Sequence, residues 1–194
     1  MDAENTIAPF GICDENRFAM VLFLISEGAF FVFLIVAYVY FHGSDKTGPN
    51  AMNSLHPFTT GVFTLALLGS SFTMWRAEKS YESGRMGHFR SWLGATIALG
   101  AIFMFGQGRE YAQLYRANVT VSRNLFGSSF FTLTGFHGLH VILGIIALSV
   151  LLGLALKQPR YPKASAVRTI ALYWHFVDWV WVVIFAVVYL WAVL

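Results

Sequence analysis

The stretch Phe18–Phe41, FAMVLFLISEGAFFVFLIVAYVYF, decides the fold. As an α-helix its 24 residues rise about 36 Å, enough to cross the roughly 30 Å hydrocarbon core of a bilayer once. A buried strand runs only about 4–8 residues between turn signals. In lipid only a helix satisfies every backbone N–H and C=O within one segment. The stretch therefore predicts a transmembrane helix, with Glu27 near its middle.

Working outward, four more runs of this kind follow, giving expected spans at about 18–41, 58–76, 91–111, 126–156 and 170–193. Five crossings use most of the 194 residues, and the composition agrees: 57% hydrophobic, 12% charged and a mean hydropathy of +0.60. An ordinary soluble domain is roughly 45–50% apolar and about 25% charged. The expectation is an all-α polytopic membrane protein, a bundle of five transmembrane helices forming one domain over 1–194. No room is left for a soluble catalytic or nucleic-acid-binding domain, so no nucleic-acid partner is expected. The residues before Phe18 include Asp2, Glu4, Asp14 and Glu15. They lack the basic start of a secretory signal, so the first helix is expected to be retained.

The net charge of +3 concerns orientation. With the amino terminus in the cytoplasm, the inner side carries Arg17, Arg76, Lys79, Arg85, Arg90, Lys157, Arg160, Lys163 and Arg168. The outer side carries Lys46, Arg109, Arg116 and Arg123. Nine basic residues against four favour a cytoplasmic amino terminus and a carboxyl terminus outside.

Short loops, broken by Pro49, Pro57, Pro159 and Pro162, hold the spans in one bundle without repeats or linkers. The single cysteine, Cys13, cannot form an intrachain disulfide or a CxxC metal framework. Gly106-Gln107-Gly108-Arg109-Glu110-Tyr111 begins like a dinucleotide fingerprint but lacks its third glycine and preceding strand. Trp75, Trp92, Trp174, Trp191, Tyr38, Tyr40 and Tyr189 lie toward span ends, where an interfacial belt is the expected role. Gly61, Gly69, Ser70, Ser71 and Thr73 in the second span, with Gly135, Gly138 and Gly144 in the fourth, would let helices approach closely.

The informative residues are polar groups inside apolar spans. Glu27 costs several kcal/mol or more in hydrocarbon unless paired, hydrated or protonated. His175 and Asp178 are three apart in the fifth span, and His137 and His140 repeat that spacing in the fourth, so each pair shares a helix face. Depth arithmetic at about 1.5 Å per residue puts Glu27 some 4 Å and Asp178 about 5 Å inward of the midplane, with His140 within about 2 Å of it. His175 falls about 10 Å inward by the same count. Glu27, Asp178 and His140 are thus expected in one layer. Such a layer serves as a proton path, a metal site, a lipid site or simple interhelical hydrogen bonding. Haem or copper is not expected, because donors beyond the histidine pair are lacking. His42 and His56 are expected at the outer interface and His88 at the inner one.

Several motifs occur together in order: Leu24-Ile25-Ser26-Glu27; His56-Pro57; Ser70-Ser71-Phe72-Thr73; Gln107 followed by Glu110-Tyr111; Gly127–Phe131 running into Thr134–Val141; and Tyr173–Asp178. In these the chain resembles subunit III of the haem–copper respiratory oxidases, over nearly its whole length from residue 18 onward. The resemblance is to the short, five-helix bacterial form, since longer members carry two additional spans at the amino terminus.

It implies a non-catalytic subunit with no redox cofactor and no metal of its own. Its partners would be the catalytic subunit I, which carries haem and copper, subunit II and other respiratory-complex chains, in the bacterial cytoplasmic membrane. By resemblance Glu27 is the family's buried carboxyl, close to bound phospholipid and connected with proton uptake. Asp178, His175, His140 and His137 complete the buried polar set, and His56, Gln107, Glu110 and Tyr111 form a polar set at the outer end. Two alternatives stand beside this reading. One is an accessory subunit of a nitric oxide reductase; the other is a stand-alone small proton or solute transporter relaying through Glu27, Asp178 and His175.

Overall fold

The computed structural model describes residues 15–41, 57–116, 125–157 and 162–190. Within them the chain forms α1 (Glu15–Phe41), α2 (Pro57–Glu82), α3 (Met86–Arg116), α4 (Leu125–Lys157) and α5 (Ala164–Phe185). A π-helical turn, Ala186–Leu190, continues α5. No strand occurs among the described residues, and all five helices are long and apolar enough to cross a membrane.

The helices overrun the expected spans. α2 continues through Arg76, Lys79 and Glu82, and α3 begins at Met86 and runs to Arg116. Hydropathy marks where lipid ends, whereas backbone hydrogen bonding carries a helix on into the headgroup layer. The α2–α3 connection is correspondingly tight. Gly84, at φ 70°, sits in the left-handed region that glycine enters without penalty. The Gly84 N–H bonds Tyr81 O at 2.9 Å and the Arg85 N–H bonds Ser80 O at 2.9 Å, a Schellman ending that satisfies the last carbonyls of α2.

α2, α3, α4 and α5 close a four-membered ring in which each packs on the next and α5 returns to α2. α1 stands outside the ring on the seam between α4 and α5. It buries Leu24, Phe31 and Tyr38 there and turns Val32, Phe33 and Val36 outward.

The ring is built around one indole. Trp174 of α5 is fully buried, and its Nε1–H donates to Ser70 Oγ of α2 at 3.0 Å. Its ring lies over Gly100 of α3 and Gly144 of α4, where an added Cβ would come within 2.8 Å of ring carbons. Trp181 repeats the link one level up, donating from Nε1 to Thr64 Oγ1 at 3.0 Å. Trp174, Tyr38 and Tyr189 therefore do not belong to an interfacial belt. Each is buried, and for Trp174 and Tyr189 a hydrogen bond to another helix places the polar atom inside the protein. Trp75 and Tyr40 are exposed, as belt residues are.

Candidate functional site

The polar residues fall into three clusters, each at a helix seam. The first joins α1 to α4. His140 Nε2 lies 3.0 Å from Glu27 Oε2, and His140 Nδ1 lies 2.7 Å from the carbonyl of Phe136, one turn back on its own helix. A carbonyl has no proton to give, so Nδ1 carries the hydrogen. The contact with Glu27 then needs one more proton, on the carboxyl or on Nε2. In either arrangement the pair is neutral overall, which is how a carboxyl is tolerated at that depth. Tyr173 of α5 donates to the His140 carbonyl at 3.0 Å and ties the pair to a third helix. Phe31 packs edge-on against the imidazole, their ring centroids 5.1 Å apart.

The second cluster joins α2 to α5. Ser71 Oγ contacts His175 Nδ1 at 3.1 Å and donates to Asp178 Oδ2. The three-residue spacing does bring His175 and Asp178 to one partner, but that partner is Ser71 and not Glu27. Asp178 Oδ1 is buried without a hydrogen-bond partner. Of the three residues expected in one layer, Glu27 and His140 meet, while Asp178 turns to the opposite seam.

His137 goes its own way although it shares a helix with His140. It is wholly buried, stacked on Trp181 with ring centroids 4.9 Å apart, and neither ring nitrogen has a hydrogen-bond partner. Phe31 and Phe103 close around it edge-on. Among the described residues, no three His, Cys, Asp or Glu side chains come together as metal ligands do.

The third cluster occupies the end of the bundle where α3 finishes. Glu110 accepts from Thr60 Oγ1 at 3.0 Å and from Tyr189 OH at 2.7 Å. The π-helical turn carries Tyr189 inward to make that contact. Beside it Gln107 Nε2 donates to the Thr134 carbonyl at 2.7 Å and to Tyr111 OH at 3.2 Å. Tyr111 OH lies 2.7 Å from Thr134 Oγ1, which donates to the Phe130 carbonyl at 2.7 Å. His56, expected in this set, lies outside the described residues, as do His42, Lys46, Arg123 and Arg160.

Sequence reasoning passed over Ser71, Thr60, Thr134, Tyr173 and Tyr189 as partners. Hydroxyls cost little in an apolar span, so nothing in the pattern sets a functional one apart from a packing one. Two grooves flank α1. One of about 530 Å³ lies between Ala19, Met20 and Phe23 of α1 and Ala166, Ile170 and the nearby Lys163. The other, of about 180 Å³, lies between Leu34, Ala37 and Phe41 and Ser128, Ser129 and Thr132 of α4.

Comparison with known proteins gives one family and a consistent set of relatives. A family model described as "Cytochrome c oxidase subunit III" matches residues 8–193. The chain is 37% identical over 180 residues to cytochrome c oxidase subunit 3 of Synechocystis sp., covering 91% of this chain and 76% of that protein. It is 37% identical over 195 residues to the same subunit of Corynebacterium diphtheriae, covering 94% and 93%. To that of Thermostichus vulcanus it is 32% identical over 179 residues, covering 91% and 88%.

Proposed function

The chain belongs to the cytochrome c oxidase subunit III family, and we propose that it holds phospholipid beside the catalytic subunit, steadies that subunit and sustains its proton uptake. It is a membrane protein and a non-catalytic subunit of a haem–copper oxidase; dioxygen reduction belongs to the assembled complex. Neither a nitric oxide reductase subunit nor a lone transporter is supported, since the family model and the relatives named above all point to the oxidase. In this proposal its direct neighbours are subunits I and II, haem and copper stay with those partners, and the membrane is the bacterial cytoplasmic one.

One observation carries the reading. The Glu27–His140 pair sits on the seam of the one helix that stands outside the ring, with grooves above and below it. An acyl chain fits an apolar groove of that size, and the Lys163 ammonium at the larger groove suits a phosphate. The hydrogen-bonded pair, neutral as a whole, lets α1 stay attached without burying a net charge under lipid.

The test uses the intact, purified oxidase, comparing wild type with Glu27→Ala and with Lys163→Ala. Haem absorbance is expected to remain unchanged, while phospholipid retained per haem falls and activity decays sooner during turnover. Retained lipid and active lifetime both unaffected in the two variants would overturn the proposal. Haem lost from a complex that otherwise assembles would overturn the non-catalytic assignment itself.

A further inference from the structure

We infer that the small cavity between Gln107 and Glu110 binds one structural water, which joins the hydrogen bonds of Gln107 to those of Glu110 and pins four helices together at that end of the bundle. The cavity measures about 20 Å³ and is lined by Thr60, Phe63, Phe103, Gln107, Glu110 and Trp181 among others. A water needs roughly 10–15 Å³ of such space and two to four polar partners, so one molecule fits and a second does not.

The hydrogen-bond accounting asks for a donor there. Gln107 spends its Nε2 hydrogens on the Thr134 carbonyl and Tyr111 OH, and its Oε1 is buried with no partner. Arg109 and Gln113 also line the cavity, but neither reaches Gln107 Oε1, and every neighbouring hydroxyl is already committed. Thr60 and Tyr189 donate to Glu110, Thr134 donates to the Phe130 carbonyl, and Tyr111 donates to Thr134. Both Glu110 oxygens already act as acceptors. Water brings two hydrogens, one for Gln107 Oε1 and one for a Glu110 oxygen, and it is the smallest molecule that serves both acceptors at once.

With the water in place an unbroken series runs from Tyr189 and Thr60 through Glu110, the water, Gln107, Tyr111 and Thr134 to the carbonyl of Phe130. It links α2, α3, α4 and the π-helical turn after α5. The series fixes positions and does not conduct protons, because a carboxamide N–H cannot pass its proton on while it remains an amide.

A map of the complete oxidase, fine enough to show ordered water, tests this directly. An isolated peak is expected at roughly 2.7–3.2 Å from both Gln107 Oε1 and a Glu110 oxygen. With those side chains resolved, the absence of a peak would overturn the inference. So would contacts near 2.0–2.5 Å, about the distances at which oxygens ligate divalent cations. In a Gln107→Met complex the peak is expected to disappear while Thr60, Glu110 and Tyr189 keep their bonds; a peak that persists unchanged would show that Gln107 does not hold it. If that variant does not assemble, the wild-type map alone decides.

Discussion

At the scale of single residues, the Glu27–His140 pair separates two kinds of substitution that look equally severe. In Glu27→Gln the new amide offers both a donor and an acceptor, so it meets His140 Nε2 whichever proton arrangement the native pair adopts. The expected loss of thermal stability in the oxidase corresponds to less than about 1 kcal/mol, the scale of one interhelical hydrogen bond in a membrane. His140→Leu instead leaves the carboxyl facing hydrocarbon and should cost roughly 3 kcal/mol or more, read as loss of this subunit on mild detergent washing. The reverse order of the two variants would show that the pair does not hold α1. Ser71 sets up a similar contrast. Among the described residues its hydroxyl is the donor to Asp178, so Ser71→Ala should destabilise by about 1–3 kcal/mol, while Ser71→Thr keeps the hydroxyl and most of the stability. Glu27 was legible in the sequence because a carboxyl amid apolar residues demands a reason, and depth counting put His140 in the same layer, though the pairing itself came from the structure. Asp178 was equally conspicuous, yet depth says nothing of azimuth, and its partner Ser71 read as a small packing residue. Glu110 drew less notice at a span end, where a carboxyl reaches water without help.

At the scale of the elements, packing around Trp174 turns on the absence of two side chains. A Cβ at Gly144 or Gly100 would meet the indole at 2.8 Å, closer than side chains approach, and the ring cannot retreat because Nε1 is tied to Ser70. Gly144→Ala and Gly100→Ala are each expected to lower stability by about 1–3 kcal/mol, the usual cost of overpacking a tight core. Gly94→Ala is the control. Nothing lies within 4 Å of its would-be Cβ, so a helix-interior glycine replaced by alanine should gain roughly 0.5–1 kcal/mol. Thermal denaturation of the three complexes checks both signs together, and a common direction for all three would refute the slot. The existence of the five helices was legible because each apolar run is long and unbroken. Their ends were not, since α2 and α3 carry their charges on continuing helix. The π-helical turn leaves no trace in the hydropathy pattern; it becomes visible only through the inward position of Tyr189.

At the scale of the whole molecule, the five-helix ring-and-outrigger has two chemically distinct ends. Arg17, Arg76, Lys79, Arg85, Arg90, Lys157, Lys163 and Arg168 gather at one, with Glu82 bridging Lys79 at 3.2 Å and Arg168 at 3.6 Å across α2 and α5. At the other end are Arg109 and Arg116, with the Gln107–Glu110 cluster just inside. Helix alternation requires that these ends lie on opposite faces of the membrane, and the excess of Lys and Arg near span termini predicts that the first faces the cytoplasm. Cys13 makes the prediction easy to check, because it is the only cysteine and it precedes α1. In membrane vesicles containing the assembled oxidase, a membrane-impermeant maleimide should label Cys13 only when the cytoplasmic face is outward. In a Cys13→Ser background, Tyr115→Cys at the exposed end of α3 should show the opposite pattern. If both cysteines react from the same side, the chain crosses the membrane an even number of times between them and the three-span path from α1 to α3 is wrong. If the two patterns are exchanged, the charge asymmetry serves a partner's acidic surface and not the orientation of the chain.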